Sequence, residues 1–114
     1  MADRSSRPAF PSSPVDLVAV VVGGCQVILA WTELGAGTGG LGFRIQRAVC
    51  YSPCKNFEEI GKVGPHVAAF RDGSVEPRTT YRYRVHAWNA SGDSPFSNVA
   101  VVTTPQSETE PPAD

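Results

Sequence analysis

The chain has 114 residues, 41% of them hydrophobic and 18% charged, with a formal net charge of -1 at pH 7. One hydrophobic core is all that this length supports, and the near balance of charge speaks against nucleic acid or an acidic lipid surface as a partner. The longest apolar stretch, Leu17 to Val22, falls well below the roughly 20 residues of a membrane-spanning helix, and the N-terminus lacks the basic-then-apolar order of a secretory leader.

Residues 1–13 hold Arg4, Ser5, Ser6, Arg7, Pro8, Pro11, Ser12 and Ser13, without apolar periodicity, and are expected to form a disordered linker. From residue 14 onward, short β-branched and aromatic runs alternate with Gly, Pro, Asn and Asp, and no window has helical spacing. The predicted strands are Val15–Val22, Cys25–Thr32, Phe43–Val49, Phe57–Val63, Val67–Arg71, Thr80–Trp88 and Asn98–Thr104. Successive strand side chains point to opposite faces. Cys25, Val27, Leu29 and Trp31 therefore share one inward row, and Tyr81, Tyr83, Val85 and Ala87 share another. Phe57 and Ile60, three apart, cannot both face inward without a bulge. Residues 106–114 are again Pro- and Glu-rich and read as a second linker, so the composition resembles a module taken from between stiff tethers.

Three cysteines raise a pairing question. In Cys50-Tyr51-Ser52-Pro53-Cys54 the proline supports a turn that brings the two thiols within disulfide reach, leaving Cys25 as a small buried hydrophobe. Two free thiols, or a metal site that includes His66, are the alternatives; zinc needs three or four ligands and no second cysteine pair is present. No metal and no cofactor is expected. Gly35-Ala36-Gly37-Thr38-Gly39-Gly40 has the spacing of a dinucleotide-binding loop, but such a loop needs a helix N-terminus after it, and the alternating run from Phe43 reads as a strand. Catalysis finds no support either. Adjacent Glu58 and Glu59 point to opposite faces of a strand, and His66 and His86 have no matched nucleophile and acid.

Opposite the inward row of the sixth strand lie Arg82, Arg84, His86 and Trp88, and the third strand carries Arg44 and Gln46 at alternate positions. Two readings stay open for this face: cross-strand ladders with guanidinium groups stacked on Trp88, or a recognition patch for a peptide, a partner domain or a sugar. Asn89-Ala90-Ser91 has the spacing of a glycosylation sequon.

The residues Pro14-x-x-Leu17-x-Ala19, Val27-x-Leu29-x-Trp31, Phe70-x-Asp72-x-x-Val75-x-Pro77-x-Thr79-x-Tyr81-x-Tyr83-x-Val85-x-Ala87-x-Asn89-x-x-Gly92-x-Ser94, Ser97-Asn98 and Thr103-Thr104-Pro105 resemble the fibronectin type III pattern over residues 14–105. The resemblance implies an all-β, seven-stranded antiparallel immunoglobulin-like sandwich, with an A-B-E sheet packed on a C-C′-F-G sheet. It also implies that the third and sixth strands are neighbours, which sets Arg44 and Gln46 beside Arg84 and Trp88, together with a core tryptophan at Trp31, a corner tyrosine at Tyr81 bonding back to the E–F turn, a turn acid at Asp72 and a strand-end cap at Asn89 as the alternative to glycosylation. Val75 stands where the family usually has leucine. The wording from Tyr81 to Ser94 is similar to modules appended to bacterial secreted enzymes and surface proteins. A non-catalytic, monomeric, extracellular spacer between neighbouring domains is the implied role. A carbohydrate- or protein-binding module using the exposed face, or the Tyr51 loop, is the alternative.

Overall fold

The computed structural model describes residues 11–23, 26–34 and 40–106. Cys25, most of the glycine-rich segment and the larger parts of both expected linkers lie outside the described residues. Eight strands follow in chain order: β1 (Val15–Val22), β2 (Gln26–Thr32), β3 (Gly40–Cys50), β4 (Glu58–Val63), β5 (Ala69–Asp72), β6 (Thr80–Asn89), β7 (Gly92–Asp93) and β8 (Ala100–Thr103). They form two antiparallel sheets, a three-stranded one in the order β1-β2-β5 and a five-stranded one in which β4, β3, β6 and β7 are consecutive and β8 also pairs β6. This is an immunoglobulin-like sandwich with A-B-E and C-C′-F-G sheets, the last strand being split in two.

The split has a local cause. Pro95 has no N–H to give a ladder, so pairing with β6 lapses between Asp93 and Ala100. Two serines fill the gap. Ser94 donates its N–H to Ala87 O at 2.8 Å and accepts the Ala87 N–H on Oγ at 2.8 Å. Ser97 does the same for Val85, at 2.7 Å and 3.0 Å. Every second residue of β6 thus keeps its outer edge bonded.

Period-two alternation puts Val27, Leu29 and Trp31 of β2 against Phe43 and Ile45 of β3 and Tyr81, Tyr83, Val85 and Ala87 of β6, all buried. Trp31 is 6% exposed and meets Phe43 edge-on, with ring centroids 5.4 Å apart. On β4, Gly61 pairs Ile45 and Glu59 pairs Gln46, which leaves Ile60 as a bulged residue packed on the core. Phe57 precedes the strand and turns to the other face. Gly61 is required where it stands: a Cβ there would lie 2.5 Å from the Phe70 ring.

Where β5 ends, the two sheets are joined by a polar cluster. Asp72 is 3% exposed; its Oδ2 accepts from Tyr83 Oη at 2.7 Å and from Arg47 Nη1 at 2.9 Å, and its Oδ1 accepts from Ser74 Oγ at 2.7 Å and Ser74 N at 3.1 Å. Burial alone would raise the Asp72 carboxyl, but the bonds from Tyr83, Ser74 and Arg47 outweigh it and hold the group below the usual carboxylate range. Burial, together with the Asp72 carboxylate, pushes the Tyr83 phenol far up, so it stays protonated and donates. Asp72 is therefore more than a turn acid. It ties β5 to β3 and β6 across the sandwich. Beyond it, the Tyr81 hydroxyl accepts the Glu76 N–H at 2.7 Å, and Thr104 Oγ1 accepts the Thr79 N–H at 2.9 Å.

At the N-terminal side, composition places residues 11–13 in a linker, yet Pro11 is buried and Ser13 Oγ donates to Phe96 O at 3.0 Å. A proline ring needs no periodicity to be buried, and Pro11 borders the same cavity as Phe43 and Trp88.

Candidate functional site

The face built by β3, β6 and the start of β4 holds the candidate residues. Register pairs Gly42 with Trp88, Arg44 with His86, Gln46 with Arg84 and Ala48 with Arg82, so Arg44, Gln46, Arg82, Arg84, His86 and Trp88 share one side of the sheet. Phe57 and Glu59 join from one flank, and Phe96 from the other.

The groups engage one another. The Arg84 guanidinium lies between two rings, 3.7 Å from the Phe96 centroid and 4.0 Å from Phe57, while its Nε donates to Gln46 Oε1 at 2.8 Å. Arg44 sits 4.7 Å over Trp88 and 3.9 Å from a Glu59 carboxylate oxygen. Arg82 is the member that remains exposed. Arg44, Arg84 and Trp88 are half-buried.

His86 departs from the expected exposed row. It is 5% exposed, packed edge-on against Phe96 with centroids 4.8 Å apart, and its Nδ1 lies 3.8 Å from Asp93 Oδ1. Strand parity places it on the outer face correctly, but the segment after β7 folds Phe96 over it, which alternation within one strand cannot reveal. Burial lowers the His86 pKa more than Asp93 raises it, so the imidazole is neutral at pH 7. Trp88 Nε1, Arg44 Nε and His86 Nδ1 are buried without a hydrogen-bond partner among the described residues.

At the end of β3, Cys50 and Cys54 are disulfide-bonded, clipping a loop whose Tyr51 is 66% exposed with Lys55 Nζ 5.8 Å from its ring. Asn89 is buried, and its Oδ1 accepts the N–H groups of Ser91 at 2.8 Å and Gly92 at 3.2 Å. An amide held this way caps the β6–β7 turn and is not presented for glycosylation. His66 is exposed and contacts Glu33 at 3.3 Å, far from the cysteines in role; no group of three or more metal-ligating side chains occurs among the described residues. After Gly40 the chain runs into β3, so the glycine spacing has no helix N-terminus to serve. Phe57 and Phe96 are the members of the face that sequence reasoning misses. Their only sequence sign is an aromatic residue next to a strand boundary.

No family model matches this chain. An alpha-amylase of Niallia circulans is 33% identical over 96 residues, covering 83% of this chain and 7% of the amylase. Contactin-1 of Gallus gallus is 35% identical over 63 residues, covering 53% of this chain and 6% of contactin-1. The chain thus spans a small fraction of each curated relative. Among solved structures, the third fibronectin III domain of the human KIAA0343 protein superposes with a TM-score of 0.76 at 19% identity, covering 100% of this chain and 97% of that one. With its A-B-E sheet packed on a split C-C′-F-G sheet, this chain has the fibronectin type III fold.

Proposed function

We propose that the chain is a non-catalytic spacer and interaction module of a larger extracellular, bacterial multidomain protein, setting the distance and orientation of neighbouring domains. The observation that carries this reading is the self-satisfied outer face: Arg84 is held between Phe57 and Phe96, and Arg44 caps Trp88, so the groups best suited to hold a ligand hold each other. The small share of each relative that the chain spans supports a modular origin. The Cys50–Cys54 disulfide supports an oxidising compartment.

A second reading, a carbohydrate- or protein-binding module, is favoured by the exposed Arg82 on this face and by the exposed Tyr51 of the disulfide-clipped loop. Titration of the chain against insoluble polysaccharides and against the parent's other domains separates the two. For a spacer, no saturable binding to polysaccharide is expected, and Trp88→Ala with Arg84→Ser leaves parent activities unchanged. That pair still lowers stability by about 1–3 kcal/mol, since stacked guanidinium groups contribute about 0.5–2 kcal/mol each. Saturable polysaccharide binding that the double substitution abolishes would reverse the ranking.

A further inference from the structure

His86 is ionisable, 5% exposed and on the outer side of its sheet, where the ring that covers it belongs to Phe96. Phe96 serves two neighbours at once. It meets the imidazole edge-on with centroids 4.8 Å apart, and the Arg84 guanidinium lies 3.7 Å from its own centroid. The ring is itself 38% exposed, so solvent lies behind the cover. Its backbone is fixed at three points. Pro95 and Phe96 form a two-residue arc between Ser94, bonded to Ala87, and Ser97, bonded to Val85, and Phe96 O accepts from Ser13 Oγ at 3.0 Å. Rotation about the Phe96 side-chain bonds breaks none of these contacts. It takes one ring from Arg84, which keeps Phe57 at 4.0 Å and Gln46 Oε1 at 2.8 Å.

A proton on His86 supplies the drive. An imidazolium has two N–H donors to satisfy, and Nδ1 has no hydrogen-bond partner among the described residues. Charges reach it from every neighbouring strand. Arg44 lies directly across on β3, and Arg84 precedes it by two residues on β6. The acids are Asp93 of β7, 3.8 Å away with a side chain 59% exposed, and Glu59 of β4, which faces Arg44 at 3.9 Å. Burial, aided by the positive charge of Arg44, outweighs both acids, so the seated ring disfavours the proton.

We propose that Phe96 is an acid-released cover on the outer face: when His86 takes up a proton the ring swings out, the imidazolium turns to water and Asp93, and Arg84 is opened to solvent on the side that Phe96 occupied. A covered histidine that holds the proton less well than an uncovered one is, by linkage, uncovered more as pH falls. Each pH unit between the two proton affinities shifts the open-to-closed ratio by at most about tenfold. The change lies below the ordinary histidine value of 6.5. This goes beyond the spacer reading. Near neutrality the face is self-satisfied, and in acid it presents Arg82, Arg84 and a charged His86 together.

An NMR titration of the full chain from about pH 7.5 to about pH 5 tests this, with a soluble gadolinium chelate to report exposure. The Phe96 ring and the Arg84 Nε–H should respond with the same midpoint as the His86 ring and gain relaxation from the chelate. The Val85 and Ala87 amides, held by Ser97 and Ser94, should keep their protection from exchange. His86→Gln, which removes the titrating group, should leave the Phe96 signals flat with pH. Phe96→Ala, which leaves the imidazole permanently uncovered, should move the His86 midpoint up towards 6.5 by at least about 0.3 pH. A Phe96 ring that stays seated while His86 titrates, a ring response that survives His86→Gln, or an unchanged His86 midpoint in Phe96→Ala would overturn the proposal. So would loss of the Val85 and Ala87 amides together with the ring, since the whole segment would then be leaving the sheet.

Discussion

Replacing Asp72 with asparagine keeps the size of the side chain and removes its charge from the centre of the polar cluster between the sheets. The native carboxylate accepts four hydrogen bonds, two of them from Tyr83 and Arg47 on the opposite sheet. Bonds to a charged partner contribute about 1.5–3 kcal/mol and neutral ones about 0.5–1.5, so the substitution should cost about 2 kcal/mol at pH 7. Asp72→Ala, which leaves the buried Tyr83 hydroxyl without its acceptor and Arg47 without its carboxylate, with only Ser74 Oγ to accept from it, should cost about 3–5 kcal/mol. The sign of the pH dependence follows from the depressed carboxyl. Its stabilisation is present above the ordinary value of 3.8 and is lost as pH falls through the lower folded-state value. His86 titrates in a separate window. Its pKa is also depressed in the folded state, so stability falls as pH drops below the ordinary 6.5, equally in wild type and variant. The difference between the two proteins therefore isolates Asp72. Urea unfolding followed by tryptophan fluorescence should show a midpoint lower by about 1 M for Asp72→Asn at pH 7, a gap that starts to close as pH falls below the ordinary carboxyl value of 3.8. A difference that stays constant from pH 7 to pH 3 would refute the argument, since it would mean the carboxylate charge is not what the cluster stabilises.

Trp31→Ala empties the largest site on the β2 side of the core and should cost about 3–5 kcal/mol, with a denaturant midpoint well below wild type; an unchanged midpoint would contradict its packing on Phe43. Tyr81→Phe deletes the acceptor of the Glu76 N–H and should cost about 1–3 kcal/mol with circular dichroism unchanged, whereas a loss below a few tenths would show that the bond contributes nothing net. Unfolded, non-reduced protein should titrate one thiol, Cys25, and Cys50→Ser with Cys54→Ser should lower stability by about 2 kcal/mol, the loop-entropy value for so short a closure. Three reactive thiols in the unfolded protein would refute the pairing.

Much of this architecture is readable from side-chain order alone, because alternation has only two outcomes per residue. The buried rows Val27, Leu29, Trp31 and Tyr81, Tyr83, Val85, Ala87 follow from it, as do the need for a bulge near Ile60 and the outward row of Arg84 and Trp88, whereas Arg44 joins that row only through the pairing of β3 with β6. The Cys50–Cys54 pairing follows from a five-residue turn that constrains itself locally. What alternation cannot supply is the contact made by a residue on a different strand or loop. Phe96 covers His86 because the chain after β7 folds back over the sheet, and Asp72 acquires Arg47 and Tyr83 only when the sheets pack face to face. The split of the last strand depends on Ser94 and Ser97 meeting the edge of β6. Likewise, that Val15–Val22 lies at a sheet margin with only β2 beside it is a property of sheet order, which the strand's own side chains do not record.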